Sequence, residues 1–195
     1  MQRKFMWLVL FSGAIVLTAS FYAVSVRATQ ASGFKATTLA QGTFAEFHVF
    51  NHAILPNSTG GDDDENVWLS LQKTEGLSDL YVQSNVWQVG GSTGWHTHPG
   101  HSLIIVTSGT LTEYDGECKP LVYAFVPGQP APTFVDPGRG HVHIVRNEGS
   151  VVASSIAVQL VPFDPKKANR RIDAAARRTA PTSCNERGQI AAAVS

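Results

Sequence analysis

Five of the seven histidines stand in two short clusters: His96, His98 and His101 in GWHTHPGHS, and His141 and His143 in GRGHVHIVRN. Each cluster contains a His-x-His pair. On an extended strand such a pair turns both rings to one face, because side chains alternate with period two. Imidazole is the commonest protein metal ligand. An imidazole set that leaves coordination positions open suits a divalent transition metal on which water or a small organic molecule can be polarised or oxidised. Iron, manganese, copper, nickel and zinc all fit such a shell, whereas calcium and magnesium take oxygen ligands.

The neighbours of the pairs are further candidates, as ligands or as supports for ligands. His101 adjoins Ser102 and would face the opposite side of a strand from it, unless the Pro99-Gly100 turn reorients the ring. His141 shares the facing of His143 and either supports the site as a hydrogen-bonding or acid/base group or lies on the surface before the strand. His48 and His52 sit in a less regular segment and read as surface residues. Other chemistries lack their residues: there is no nucleophile elbow, no phosphate-cradling glycine loop and no nucleotide fingerprint. The acidic run 62–65 lacks the spaced ligands of a calcium loop and reads as a solvated turn. Asn57-Ser58-Thr59 is a glycosylation sequon, meaningful only in a eukaryote.

For the two clusters to meet, the elements carrying them must close on each other. The chain consists of short runs of Val, Ile, Leu and aromatic residues divided by Gly, Pro, Asn and Asp turns, an all-β pattern. Strands are predicted at 67–71, 80–89, 102–107, 110–114, 121–125, 132–135, 141–146 and 151–161. Nothing repeats at a fixed period, and a chain of 195 residues that is 43% hydrophobic can close one core, so a single barrel or sandwich is expected. Formal charge is zero. Arg3, Lys4 and Arg27 lie in the first 28 residues, leaving 12 basic against 15 acidic residues, a balance that argues against nucleic acid as a partner.

The two histidine segments resemble the paired motifs of the cupin superfamily. Gly90, His96, His98 and Gly109 fit the first motif, while Ser102 stands where that motif carries a glutamate. Gly140, His143 and Asn147 fit the second; the proline expected at 138 is found at 137, and Pro132 replaces an expected glycine. The resemblance covers residues 80–161 and implies an all-β, cupin-type antiparallel barrel, the double-stranded β-helix or jelly roll. It further implies that His96, His98 and His143 converge on one divalent metal in the barrel mouth, that a small organic molecule is the substrate, and that the chain forms a homodimer. Some cupin oxygenases use a three-histidine shell, so the resemblance points to a dioxygenase. The other reading is a non-catalytic module that captures a small ligand or metal, which the loss of charge at Ser102 favours. Trp95 should pack rather than bind substrate, since it faces away from His96. Glu113, Tyr114 and Arg146 are read mainly as exterior residues.

The ends of the chain carry different signals. Residues 1–4 are short and basic and 5–26 are apolar without a charge, as in an export signal, with a candidate cut after Ala28. The apolar run is also long enough to remain as a membrane anchor. Either way the domain is expected outside the cytoplasm, secreted or periplasmic, with membrane contact only through an uncleaved N-terminus. An oxidising compartment favours a disulfide between Cys118 and Cys184, the alternative being two thiols. The expected organisation is therefore 1–28 signal or anchor, 29–66 extension, 67–162 barrel, and 163–195 a basic, alanine-rich tail forming a short helix or flexible extension.

Overall fold

The computed structural model describes residues 30–54, 67–166 and 170–174. The described residues contain twelve strands and no helix. In chain order these are β1 (Ser32–Phe44), β2 (His48–Ile54), β3 (Val67–Lys73), β4 (Ser78–Ser92), β5 (His96–Thr97) and β6 (Ser102–Ser108). They are followed by β7 (Thr110–Tyr114), β8 (Pro120–Ala124), β9 (Thr133–Asp136), β10 (Ile144–Arg146), β11 (Ala153–Pro162) and β12 (Ile172–Asp173). The export segment at 1–28 lies outside the described residues, as do the acidic run and the sequon. No helix among the described residues is long and apolar enough to cross a membrane.

Period-two burial builds the barrel. In β6 Ser102, Ile104 and Val106 turn inward while Leu103 and Ile105 face out; in β9 Phe134 and Asp136 turn inward. β4 buries Tyr81, Gln83, Asn85 and Trp87, and β11 buries Ala153, Ser155, Ala157 and Gln159. The antiparallel sheet runs β8-β7-β10-β4-β11-β6-β9, with β1 alongside β4. β4 joins its two halves, pairing with β11 along residues 78–87 and meeting β10 at Ser92. Side chains from both halves, including Trp87, Val106, Leu111, Phe134 and Val145, pack into one core, so the sheet curls onto itself as a nearly closed barrel. The inward positions of these strands also include polar side chains, among them Gln83, Asn85, Ser102, Asp136 and Gln159.

The described residues depart from the predicted organisation in three places. Residues 32–44, expected as an extension, pair with β4 along its whole length. Almost every residue of β1 is exposed, so no alternation of apolar and polar residues marks it in the sequence; its partner strand supplies the order. Residues 67–73, expected in the barrel, instead form a separate two-stranded sheet with β2. β10 begins at Ile144 rather than 141, since the Gly138–Arg139–Gly140 turn has positive φ throughout.

Asn147 stitches the barrel behind the site. It is fully buried, and its Nδ2 donates to the carbonyls of Trp87 (3.2 Å), Gln88 (3.2 Å) and Val151 (2.8 Å) while Oδ1 accepts from Gly149 N–H. Its main chain closes onto Gly90 and Gly91, so one residue from each histidine motif holds the other. Asn147→Ala is expected to cost about 2–4 kcal/mol, because buried carbonyls lose their donor. A lower urea midpoint at unchanged slope would show it.

Candidate metal centre

A three-stranded ladder at the polar end of the barrel carries the histidines. His96 N–H donates to the His143 carbonyl (3.0 Å) and His143 N–H to the His96 carbonyl (2.9 Å), an antiparallel bridge that locks the two motifs in register. On the other side of β5, β12 pairs Ile172 with Thr97 and Asp173 with His96. The rings of His96 and His143 lie 4.5 Å apart, His96 and His98 4.8 Å, and His98 and His143 6.0 Å. One ligand nitrogen from each of the three comes within 4.8 Å of the others.

Hydrogen bonds decide which nitrogens face the centre. His96 Nδ1 lies 2.9 Å from the Gly94 carbonyl and His98 Nδ1 2.6 Å from the Arg170 carbonyl. A carbonyl only accepts, so each Nδ1 carries the proton and each Nε2 keeps its lone pair for a metal. His143 Nδ1 faces Asp136 Oδ1 at 3.4 Å. Burial holds His96 well below its ordinary value of 6.5, and the neighbouring His143, Arg171 and His98 add to the effect. Burial also lowers His98, against the opposing pull of the Arg170 carbonyl and Asp136. Neutral imidazoles are the form that coordinates.

Asp136 lines the site and is absent from the sequence-based candidates. It stands opposite Ser102 across β6 and β9, 1% exposed, with Oδ1 accepting from Gly138 N–H at 2.9 Å. Burial alone would raise its pKa, but the hydrogen bond and charge of His143, the Gly138 N–H and His98 outweigh burial and lower it. The departure from the second motif explains this carboxylate's setting. Gly138 has φ +65°, which proline cannot adopt, and proline would also remove the N–H that Asp136 uses. A Cβ at 138 would collide with the Gly100 carbonyl. The predicted strand ended at 135, one residue short of the carboxylate.

A cavity of about 100 Å³ opens onto the three histidines, Ser102 and Asp136. Among the residues that line it, Asn85 Oδ1 and Gln159 Oε1 are buried acceptors without a hydrogen-bond partner, as is Asp136 Oδ2. Arg170 and Arg171, expected in a loose tail, line the rim. Arg171 donates to the Thr93 carbonyl at 2.6 Å, and Arg170 reaches Thr38 on β1 and packs over Tyr81. The segment 170–174 is thus a strap that positions His98 and borders the cavity. No pattern in the sequence marks it, because its order comes from β5.

The remaining candidates are dispersed. His101, like Asp136, belongs to neither metal-capable group found among the described residues, and it does not line the cavity as Asp136 does. His141 joins Glu113 and His143 in a second group. A neutral imidazole has one lone pair, so the two groups that share His143 are alternatives. Glu113, expected outside, is buried; burial raises its pKa, and it accepts from the Tyr123 hydroxyl. Trp95 packs against Ile144 in a small satellite core, with Tyr114 and Cys118 beside it. His48 and His52 are exposed on β2, apart from the barrel sheet. Cys118 is disulfide-bonded, and Cys184, the other cysteine of the chain, lies outside the described residues.

No family model matches the chain, and no curated protein does. Solved structures with a similar fold include a cupin domain from Bordetella pertussis Tohama I, at 15% identity and TM-score 0.35, covering 60% of this chain and 93% of that one. An oxalate oxidase in complex with the substrate analogue glycolate is 20% identical with TM-score 0.38, covering 49% and 46%. The polyketide cyclase RemF from Streptomyces resistomycificus is 15% identical with TM-score 0.39, covering 52% and 64%. The chain therefore spans less than two thirds of the latter two. What this chain's own topology defines is a nearly closed antiparallel barrel with three histidines gathered at one end.

The depressed histidines set a pH dependence for the metal-free protein. Unfolded, His96 and His98 take up protons near 6.5; folded, they resist until lower pH. The unfolded state binds more protons in between, so stability is full above about 6.5 and falls as pH drops toward the folded values. Urea midpoints between pH 8 and 5 should decline only below this point. A His96→Asn/His98→Asn variant should show a flatter decline.

Proposed function

We propose that the protein binds one divalent transition metal through His96, His98 and His143 and acts on a small organic molecule, with a dioxygenase reaction the one that the resemblance favours. The observation that carries this reading is the pair of backbone carbonyls, Gly94 and Arg170, that take up Nδ1 of His96 and His98 and leave Nε2 of each free as a ligand, with one ligand atom of His143 within 4.8 Å of one on each. Unliganded inward imidazoles would be costly to desolvate. Iron, manganese, copper, nickel or zinc would each find nitrogen donors here. When bound, such an ion would supply a Lewis acid or redox centre with open positions.

The chain's own residues would do the rest. The cavity, about 100 Å³, is well below the roughly 300–1,000 Å³ of sites for drug-sized ligands, which restricts the substrate to a few heavy atoms. Asn85 Oδ1 and Gln159 Oε1 would accept hydrogen bonds from it, and the walls of Ile104, Phe134 and Val145 would exclude water. A second reading, a non-catalytic receptacle for a metal or small ligand, is favoured by Ser102 in place of the glutamate.

We also infer that the chain is exported, by a segment at 5–26 that is either cleaved or retained as an anchor. The disulfide at Cys118 supports an oxidising compartment. Fractionation of cells expressing the full chain should place it outside the cytoplasm, and a reduced, cytoplasmic protein would refute this.

The decisive experiment is metal analysis by mass spectrometry of protein purified without chelators. Near-stoichiometric metal, lost in His96→Ala/His98→Ala, is expected. Failure to bind any of the five metals on reloading would overturn the metal site. Oxygen uptake with a panel of small carboxylates, thiols and diols would then separate an oxygenase from a receptacle.

A further inference from the structure

We propose that Asp136 is a fourth metal ligand, coordinating through Oδ2 and supplying from β9 the carboxylate that position 102 lacks. The inference rests on the three-histidine reading of the same site.

Register supplies the first argument. Ser102 and Asp136 are direct partners across β6 and β9, and both face inward. Directly opposed residues hold their Cβ atoms only about 5 Å apart. A carboxylate on either strand therefore enters the same part of the barrel mouth, and moving the acid from one strand to its neighbour keeps its charge within reach of the histidines.

The two oxygens supply the second argument. Oδ1 is held by Gly138 N–H at 2.9 Å and lies 3.4 Å from Nδ1 of both His143 and His141. Oδ2 has no hydrogen-bond partner although the side chain is 2% exposed. It lies 3.8 Å from His98 Nε2, the nitrogen left free by the Arg170 carbonyl. That distance is too long for a hydrogen bond. Two donors bound to one ion at about 2.1 Å each stand about 3.0–3.6 Å apart at coordination angles of roughly 90–120°, so Oδ2 and Nε2, at 3.8 Å, would need to close by only a few tenths of an ångström to share an ion.

Charge supplies the third. A buried carboxylate oxygen without a partner is costly, and three neutral imidazoles leave a divalent ion uncompensated. One contact would relieve both. The Gly138 N–H, available only because position 138 is not proline, holds Oδ1 and so aims Oδ2.

Cobalt(II) is the probe, because its visible bands report its ligand set directly. The full native chain, Asp136→Asn and Ser102→Glu/Asp136→Asn would be loaded with cobalt(II). Affinity would be read by chelator competition, the ligand set by absorption, and folding by circular dichroism. Asp136→Asn is expected to bind at least tenfold more weakly with shifted bands, and Ser102→Glu to restore affinity. An unchanged cobalt spectrum in Asp136→Asn would overturn the proposal even if affinity fell, since loss of an outer hydrogen-bonding partner alone weakens binding by about 10–100-fold. If that result came with binding abolished in His96→Ala/His98→Ala, the three-histidine site would stand without Asp136. No binding by the native chain would sink both. Should Asp136→Asn fail to fold, the native chain labelled with 13C at its aspartate carboxyls and loaded with manganese(II) gives the answer by electron–nuclear double resonance. A carbon coupling of the size expected for direct coordination supports the proposal, and its absence refutes it.

Discussion

The site depends on the reciprocal pair of backbone hydrogen bonds between His96 and His143. These two bonds close a loop of nearly fifty residues, and their geometry owes nothing to the side chains they bring together. They set the register between the two motifs, so that one ring from each is placed against the other. The flanking pair, β12 on one side and the Thr93–Val145 bond beside it, keeps the ladder from sliding. A slip of one residue would turn every histidine to the opposite face.

The interior this ladder caps is divided by cost. An apolar body built on Trp87, Val106 and Leu111 supplies the hydrophobic driving force. The site contains groups that are expensive to bury: the imidazoles of His96 and His143 with the half-buried His98, one carboxylate, and the amides of Asn85 and Gln159. Much of that cost is met by carbonyls and N–H groups of the main chain, at Gly94, Arg170 and Gly138. The atoms left over, Asp136 Oδ2, Asn85 Oδ1 and Gln159 Oε1, belong to residues that line the cavity. Buried acceptors without a partner are rare in native proteins, and these three are gathered around one small space.

The departures from the family motifs are connected rather than independent. Serine at 102 removes a carboxylate; the strand paired with it carries Asp136 at the opposed position. Glycine rather than proline at 138 supplies both a positive φ and the N–H that fixes Asp136, and it lets the turn pass against Gly100. Sequence positions read separately as lapses from a pattern become, in space, a consistent alternative.

Much of this was legible in the chain. Short runs of Val, Ile, Leu and aromatic residues divided by Gly, Pro, Asn and Asp turns indicated an all-β fold, and the strands at β4, β6, β7 and β11 fall on such runs. The His-x-His spacing of 96/98 and of 141/143 indicated that the two rings of each pair share a face, while the meeting of His143 with His96 and His98 was implied only by the motif resemblance. What tertiary structure alone decided are the parts whose order comes from a partner. β1 has no apolar face of its own and exists because β4 offers an edge. Arg170–Ala174 becomes a strap because β5 has a second edge to fill. Asp136 is an ordinary acid before a turn in the sequence, and becomes part of the site only because register places it across from Ser102. Local pattern records which face a residue shows; which strand stands opposite is a property of the closed barrel.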